Sequence, residues 1–318
     1  MLKKSFTGWN TGKAAIIKPV VLIWLAGYLG GVFAGEYRIA QPVAPGVDPA
    51  NFRFAVAGHA YGSHRGENQG LYPAFVRRFN QLLQSPAGKE LAFLVLAGDV
   101  VRRSSPEAWQ AVRNTLKQWP LPTYLVLGNH DNTPEGRRFA AERAGSTYYY
   151  FDLGNNRFIF LDTQQDSRRI SGEQLQFFRR LVEQPEAPRR IFVFCHELIW
   201  NGHRRYRGIA SNGRSRFNRM GVSNFWKDLY PLCQSRPDHQ FYFIAGDVGG
   251  RDDAIAAFYD RVGNVTFIAT GMGQVVDENF LLVRVTADSV RFKLVPLSPE
   301  VQLPPLEAYN VRNLTHMR

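Results

Sequence analysis

Short apolar runs recur along the chain and alternate with longer segments that carry one apolar face. Runs with strand character lie at Phe52–Ala57, Leu91–Ala97, Thr123–Leu127, Tyr148–Phe151, Arg157–Leu161, Ile191–Cys195, Gln240–Ala245, Val265–Ala269, Phe280–Val285 and Val290–Val295. Between them the pattern predicts helices over Leu71–Leu83, Pro106–Trp119, Thr133–Arg143, Ser171–Glu183, Asn224–Cys233 and Asp252–Tyr259. Two starts are well marked. Ser105 precedes Pro106 at a first helical position, and Ser171 with Gln174 resembles a capping box. The first half therefore reads as α/β, and the last third is richer in strands. No internal repeat or low-complexity tract interrupts it.

Ahead of the first strand the pattern changes. Lys3, Lys4, Lys13 and Lys18 lie in a basic segment, residues 1–18, which precedes an uncharged run from Pro19 to Gly35. That run is at the short end of what spans a hydrocarbon core. The excess of lysine before it places residues 1–18 in the cytoplasm and everything after Gly35 outside, periplasmic or extracellular. The same run also reads as a cleaved signal peptide, with Val32-Phe33-Ala34 placed for cleavage before Gly35, which would make the protein secreted. A buried core helix is a third reading. Residues 36–51, with Pro42, Pro45 and Pro49, read as an extended linker. This leaves a folded domain at 52–297 and a proline-containing peripheral tail at 298–318.

The formal net charge of +12 raises nucleic acid, anionic lipid and anionic substrate as partners. The arginines are scattered in pairs such as Arg77-Arg78 and Arg168-Arg169, as on solvated faces. Export and the lack of a basic–aromatic module argue against nucleic acid. The two cysteines, Cys195 and Cys233, could pair outside the cell, but Cys195 ends an apolar run and reads as a buried thiol.

Chemistry gathers where the strands stop. The run FRFAVAGHAYGSHRG ends in a turn with His59, Tyr61 and His64; VLAGDVV carries Asp99; LVLGNHD carries Asn129, His130 and Asp131; VFCHELIW carries His196; FIAGDVGG carries Asp247. Carboxylate, amide oxygen and imidazole together suit Mn, Fe or Zn. Carboxyl-terminal strand edges are also where open α/β sheets bind ligands. His64 and Arg65 in a glycine-rich loop, and His203 and Arg204 on a polar loop after His196, are placed to meet a phosphorylated or otherwise anionic substrate.

In this order the motifs resemble those of the calcineurin-like metallophosphoesterases, whose signature runs D-x-H, G-D, G-N-H-D/E, a strand-terminal His, and G-H-x-H. The resemblance covers Phe52 to Pro296, and GNHD at Gly128–Asp131 is its most specific element. It implies a four-layer α/β/β/α sandwich, here preceded by one N-terminal transmembrane helix, and hydrolysis of phosphate esters with two adjacent metal ions. It further implies that Asp99 bridges the metals, that Asn129 and His196 bind the second metal, and that His130, oriented by Asp131, protonates the leaving group. The chain departs from the signature at both ends. His59 and Tyr61 stand where the family has Asp and His, and Asp247 and Gly249 stand where it has two histidines. The second metal keeps Asp99, Asn129, His196 and Asp247, whereas the first is left with His59, Tyr61 and the shared Asp99. The expectation is a phosphoesterase with one ion rather than two. The competing expectation is a non-catalytic module that holds an anionic envelope ligand or partner. Retention of His130 and Asp131 favours the enzyme, since a binder needs no general acid.

Overall fold

A computed structural model describes residues 38–40, 42–63, 65–66, 68–213 and 222–316. The basic segment and the run Pro19–Gly35 lie outside them. Among the described residues no helix is long and apolar enough to cross a membrane.

The apolar runs form strands β1 (Phe52–Ala57), β2 (Leu91–Ala97), β3 (Thr123–Val126), β4 (Tyr149–Leu153), β5 (Asn156–Phe160), β6 (Arg190–Cys195), β7 (Gln240–Ala245), β8 (Ala257–Val262), β9 (Val265–Thr270), β10 (Asn279–Val285) and β11 (Val290–Pro296). They build two mixed sheets, ordered β11-β10-β1-β2-β3 and β4-β5-β6-β7-β9-β8. β1, β2 and β3 run parallel in the first sheet, and β5, β6, β7 and β9 run parallel in the second. The helices are α1 (Pro73–Gln84), α2 (Pro86–Lys89), α3 (Pro106–Leu116), α4 (Pro134–Ala144), α5 (Gly172–Glu183), α6 (Tyr230–Gln234) and α7 (Val311–His316).

Period-two alternation explains how the layers stack. Phe52, Phe54 and Val56 of β1 face the second sheet. The Phe54 ring meets Phe158 of β5 at 5.5 Å and Phe192 of β6 at 5.4 Å, both edge to face. Ala55 and Ala57 point the other way, into a cluster with Phe75 and Phe79 of α1, Val112 of α3 and Phe139 of α4. Behind the second sheet, Phe178 of α5 lies 6.2 Å from Phe243 of β7. Sheet against sheet with helices outside is thus a mixed α/β sandwich.

Two local readings are corrected. Asp252–Tyr259 is not a helix: β8 begins at Ala257 and pairs with β9 through the two-residue turn Gly263-Asn264, with Gly263 at φ +61°. Ser171 does not cap α5, because its hydroxyl donates to Asp166 while Gln174 accepts from the Asp162 amide at 2.7 Å. The tail is ordered by packing, with Leu306 and Tyr309 buried and the Tyr309 hydroxyl donating to Asp277 at 2.9 Å. Cys195 and Cys233 are both free and buried, and burial pushes both thiols up.

Candidate metal centre

The parallel strands deliver their polar ends to one place. Gly98 leaves β2 at φ +82° and Asp99 follows at φ +51°, a left-handed pair that swings the Asp99 carboxylate inward. His59, just after β1, also stands at φ +51°. Asp99 Oδ1 lies 3.4 Å from His196 Nε2, and His196 Nε2 lies 3.8 Å from Asp247 Oδ1. Asp99, His196 and Asp247 are all buried, with ligand-capable atoms within 4.8 Å of one another.

The hydrogen bonds decide which ring atom of each histidine is available. His196 Nδ1 lies 3.0 Å from the Ala97 carbonyl, which can only accept, so Nδ1 carries a proton and Nε2 is the ring atom left to meet a cation once it gives up any proton of its own. That Nε2 is buried and has no hydrogen-bond partner. His59 is arranged alike, with Nδ1 2.9 Å from the Met272 carbonyl and Nε2 3.7 Å from Asp99 Oδ2. Burial lowers His59 to about 4, so its imidazole is neutral. Burial would raise Asp99, but His196 and His59 beside it hold it well below the usual range. Asp247 is pushed up to about 7 by burial, against the pull of His196. His196 is held well above its usual value by Asp99 and Asp247, although burial opposes this. Protons thus collect where a cation would sit. An orphaned imidazole nitrogen between two carboxylates fits a borderline divalent metal, with Asp99, His196 and Asp247 as the residues that would hold it.

The remaining predicted residues fall in several places. Asn129 is exposed, and among the described residues no contact ties it to the Asp99–His196–Asp247 cluster. The His130 amide donates to Asp99 Oδ1 at 3.0 Å, and its Nδ1 lies 2.7 Å from the Arg102 carbonyl. No hydrogen bond joins the Asp131 carboxylate to the His130 ring. Its buried carboxylate accepts from the Val100, Val101 and Gly128 amides at 3.0–3.1 Å, tying two strand-end turns together. Orientation of His130 therefore falls to the Arg102 carbonyl. Tyr61 lies between His59 and His130, with ring centroids at 4.2 and 4.9 Å and its hydroxyl 3.4 Å from His130 Nε2. Burial and the nearby Asp99 push the phenol up, so Tyr61 stays protonated and is a poor ligand. At Gly249 the φ is +79° and a side chain would begin 2.6 Å from Gly271 and Met272 backbone, so an imidazole cannot stand there. His64 lies outside the described residues. Arg65 is exposed and pairs with Asp252 at 3.3 Å. His203 and Arg204 line a neighbouring cavity of about 1220 Å³, with Arg251, Ile255 and Val276, rather than the three-residue cluster.

Two residues of the site escaped the sequence reading. Arg168 and the buried Glu197 line a narrow pocket with Asp247 and Ser211. Glu197 follows His196 directly, and Arg168 sits in the polar loop after β5, so the strand-end rule applied to β5 points to it.

Residues 59–228, more than half of the chain, match the calcineurin-like phosphoesterase family. The chain belongs to that family. A probable cyclic nucleotide phosphodiesterase of Fibrobacter succinogenes is 26% identical over 140 residues, 42% of this chain and 53% of that protein. The match thus spans about half the length of that relative. A dimetal phosphatase from Danio rerio is 16% identical with a TM-score of 0.54, covering 79% of this chain and 98% of that one, which shows a shared fold. Calcineurin-like phosphoesterases use divalent transition metals, and the Asp99–His196–Asp247 cluster is where this member offers ligands.

Proposed function

We propose that the protein hydrolyses phosphate esters with a single transition-metal ion, in a domain tethered to a membrane and facing outward. The observation that carries the hydrolase reading is the orphaned His196 Nε2 between Asp99 and Asp247, with His130 held beside it through Asp99. A bound cation supplies charge for the phosphoryl oxygens and acidifies a water. The chain's own residues do the rest. The Arg102 carbonyl fixes His130 Nδ1 as a donor, leaving Nε2 as the atom that hands a proton to the departing ester oxygen. Water adds to phosphorus and gives up one proton, the ester P–O bond breaks, and the alcohol leaves with the Nε2 proton of the His130 imidazolium, which the proton released by the water then restores. Tyr61, protonated beside Nε2, steadies the ring and keeps that edge dry.

One ion rather than two is supported by the closed position at Gly249 and by Tyr61, which leave His59 Nε2 as the remaining nitrogen on the far oxygen of Asp99. The same losses favour the second reading, a module that binds an anionic ligand without turning it over. The name of the curated relative supports a phosphoester bond as target. Outward tethering is supported by the lysines before Pro19 and the uncharged run after them, and with export nucleic acid is not expected as a partner.

Elemental analysis and ester turnover test the proposal together. The protein loaded with Mn, Fe or Zn is expected to hold about one ion per chain and to lose hydrolysis on chelation. A loaded protein that binds phosphate but turns over no ester would establish the binding module. A reporter fused after Arg318 is expected to work only outside the cytoplasm; cytoplasmic activity would end the export reading.

A further inference from the structure

We infer that Arg168, positioned by Glu197, forms with Ser211 and Gly213 a cradle for an oxygen of the phosphoryl group, on the side of Asp247 away from His196. The inference rests on the phosphoesterase reading and adds to it the group that receives the substrate's charge.

Three side chains converge on the backbone of Gly213, close enough that even a methyl there would press on the Arg168 guanidinium. A Cβ built on Gly213 would lie 3.2 Å from Arg168 Nη2, 3.5 Å from Asp247 Oδ2 and 3.6 Å from Ser211 Oγ. Asp247 thus divides its oxygens, Oδ1 lying 3.8 Å from His196 Nε2 and Oδ2 facing the cradle. Arg168 Nε stands 3.8 Å from Glu197 Oε1. Glu197 is itself held by the Thr163 hydroxyl and the Gln164 side-chain amide, so the guanidinium has a fixed anchor. The backbone is shaped to bring it there. Ser167 and Arg168 stand consecutively at φ +44° and +77°, and the Arg168 amide donates to the Thr163 carbonyl at 2.8 Å. Two left-handed non-glycine residues in a row are strained, and such strain persists where surroundings impose it and collects at ligand clamps.

A guanidinium offers planar donors that match phosphoryl oxygens, and Ser211 adds a hydroxyl. Asp247 Oδ2 alone would repel an anion there. A cation on the other face of Asp247 offsets that charge, so phosphate binding depends on metal loading. Arg168 would then meet a phosphoryl oxygen from one side while the metal cluster lies on the other.

The test titrates inorganic phosphate calorimetrically into the protein with and without Mn, and measures phosphate inhibition of ester turnover. Arg168→Ala is expected to weaken phosphate about tenfold to a hundredfold without changing metal content. Gly213→Ala, at a φ outside the left-handed range, removes no donor but presses the Arg168 guanidinium out of place, and is expected to weaken phosphate likewise. Arg168→Lys should fall between. Glu197→Gln should raise KM in the native background and add nothing on Arg168→Ala. Should Arg168→Ala fail to fold, Gly213→Ala and Arg168→Lys decide the matter. Native phosphate affinity in these variants, with the wild type binding phosphate, overturns the cradle and leaves the hydrolase reading standing. A metal-loaded wild type that neither binds phosphate nor cleaves esters overturns both.

Discussion

His196 Nδ1 donates to the carbonyl of Ala97 across 3.0 Å, so the last residue of β2 in one sheet sets the tautomer of an imidazole that follows β6 in the other. The metal-facing nitrogen is chosen by backbone, not by another side chain. The turn that makes this possible is Gly98, where a Cβ would lie 2.4 Å from His196 Nδ1.

Gly98→Ala is therefore expected to injure both fold and site. The left-handed φ alone costs a non-glycine residue about 1–2 kcal/mol, and the methyl would also push the imidazole aside. Urea unfolding should show at least that loss, and metal analysis should show a depleted site. Unchanged metal content would mean that His196 is not a ligand.

Metal affinity should rise with pH across neutrality. Asp247 is raised to about 7 and must give up its proton to hold a cation, so acid competes with metal. Below that value affinity is expected to fall about tenfold per pH unit for each displaced proton, and the raised His196 adds its own to that of Asp247. In the metal-free fold the sign is opposite. The raised Asp247 contributes stability below its unfolded value of 3.8 and loses it as pH rises through about 7. Titrations in buffers of different ionisation heat check the proton release.

His130→Ala should separate esters by leaving group. Turnover of esters with poor alkoxide leaving groups is expected to drop about 10²–10⁴-fold, with a much smaller loss for activated aryl esters. Equal losses on both would assign His130 to phosphate positioning. Tyr61→Phe should leave this pattern in place.

Phe54→Ala removes the ring that joins the two sheets at Phe158 and Phe192. A loss of about 3–5 kcal/mol is expected by denaturant unfolding, with metal ligands untouched at the strand ends. A loss below about 1 kcal/mol would mean that the sheets hold together without it.

The strands were legible because two buried faces make each one a continuous apolar run, as in LAFLVLA of β2. The β8–β9 hairpin was misread because Ala254 to Tyr259 has helical composition; the deciding signal was the Gly263-Asn264 pair between two valines. Among the site residues, Asp99, His196 and Asp247 announce themselves by standing after strands. Asp131 was placed by its motif but not its partners, since a motif names a carboxylate and not the amides it faces. The Arg102 carbonyl has no signature at all, because every residue has one. Arg168 was hidden among paired arginines, and only the meeting of three loops distinguishes it.

Asp99 belongs to one sheet, and His196 and Asp247 to the other. A cation held by all three is therefore a cross-link, closing long stretches of chain that no disulfide closes, since Cys195 and Cys233 are both free. Such a link restricts the unfolded chain as a disulfide does, and the gain grows slowly with the loops it closes. Chelation would then release more than chemistry: the two sheets would lose a clasp at one edge, and proteases would find the strand-end turns before the aromatic interior gave way.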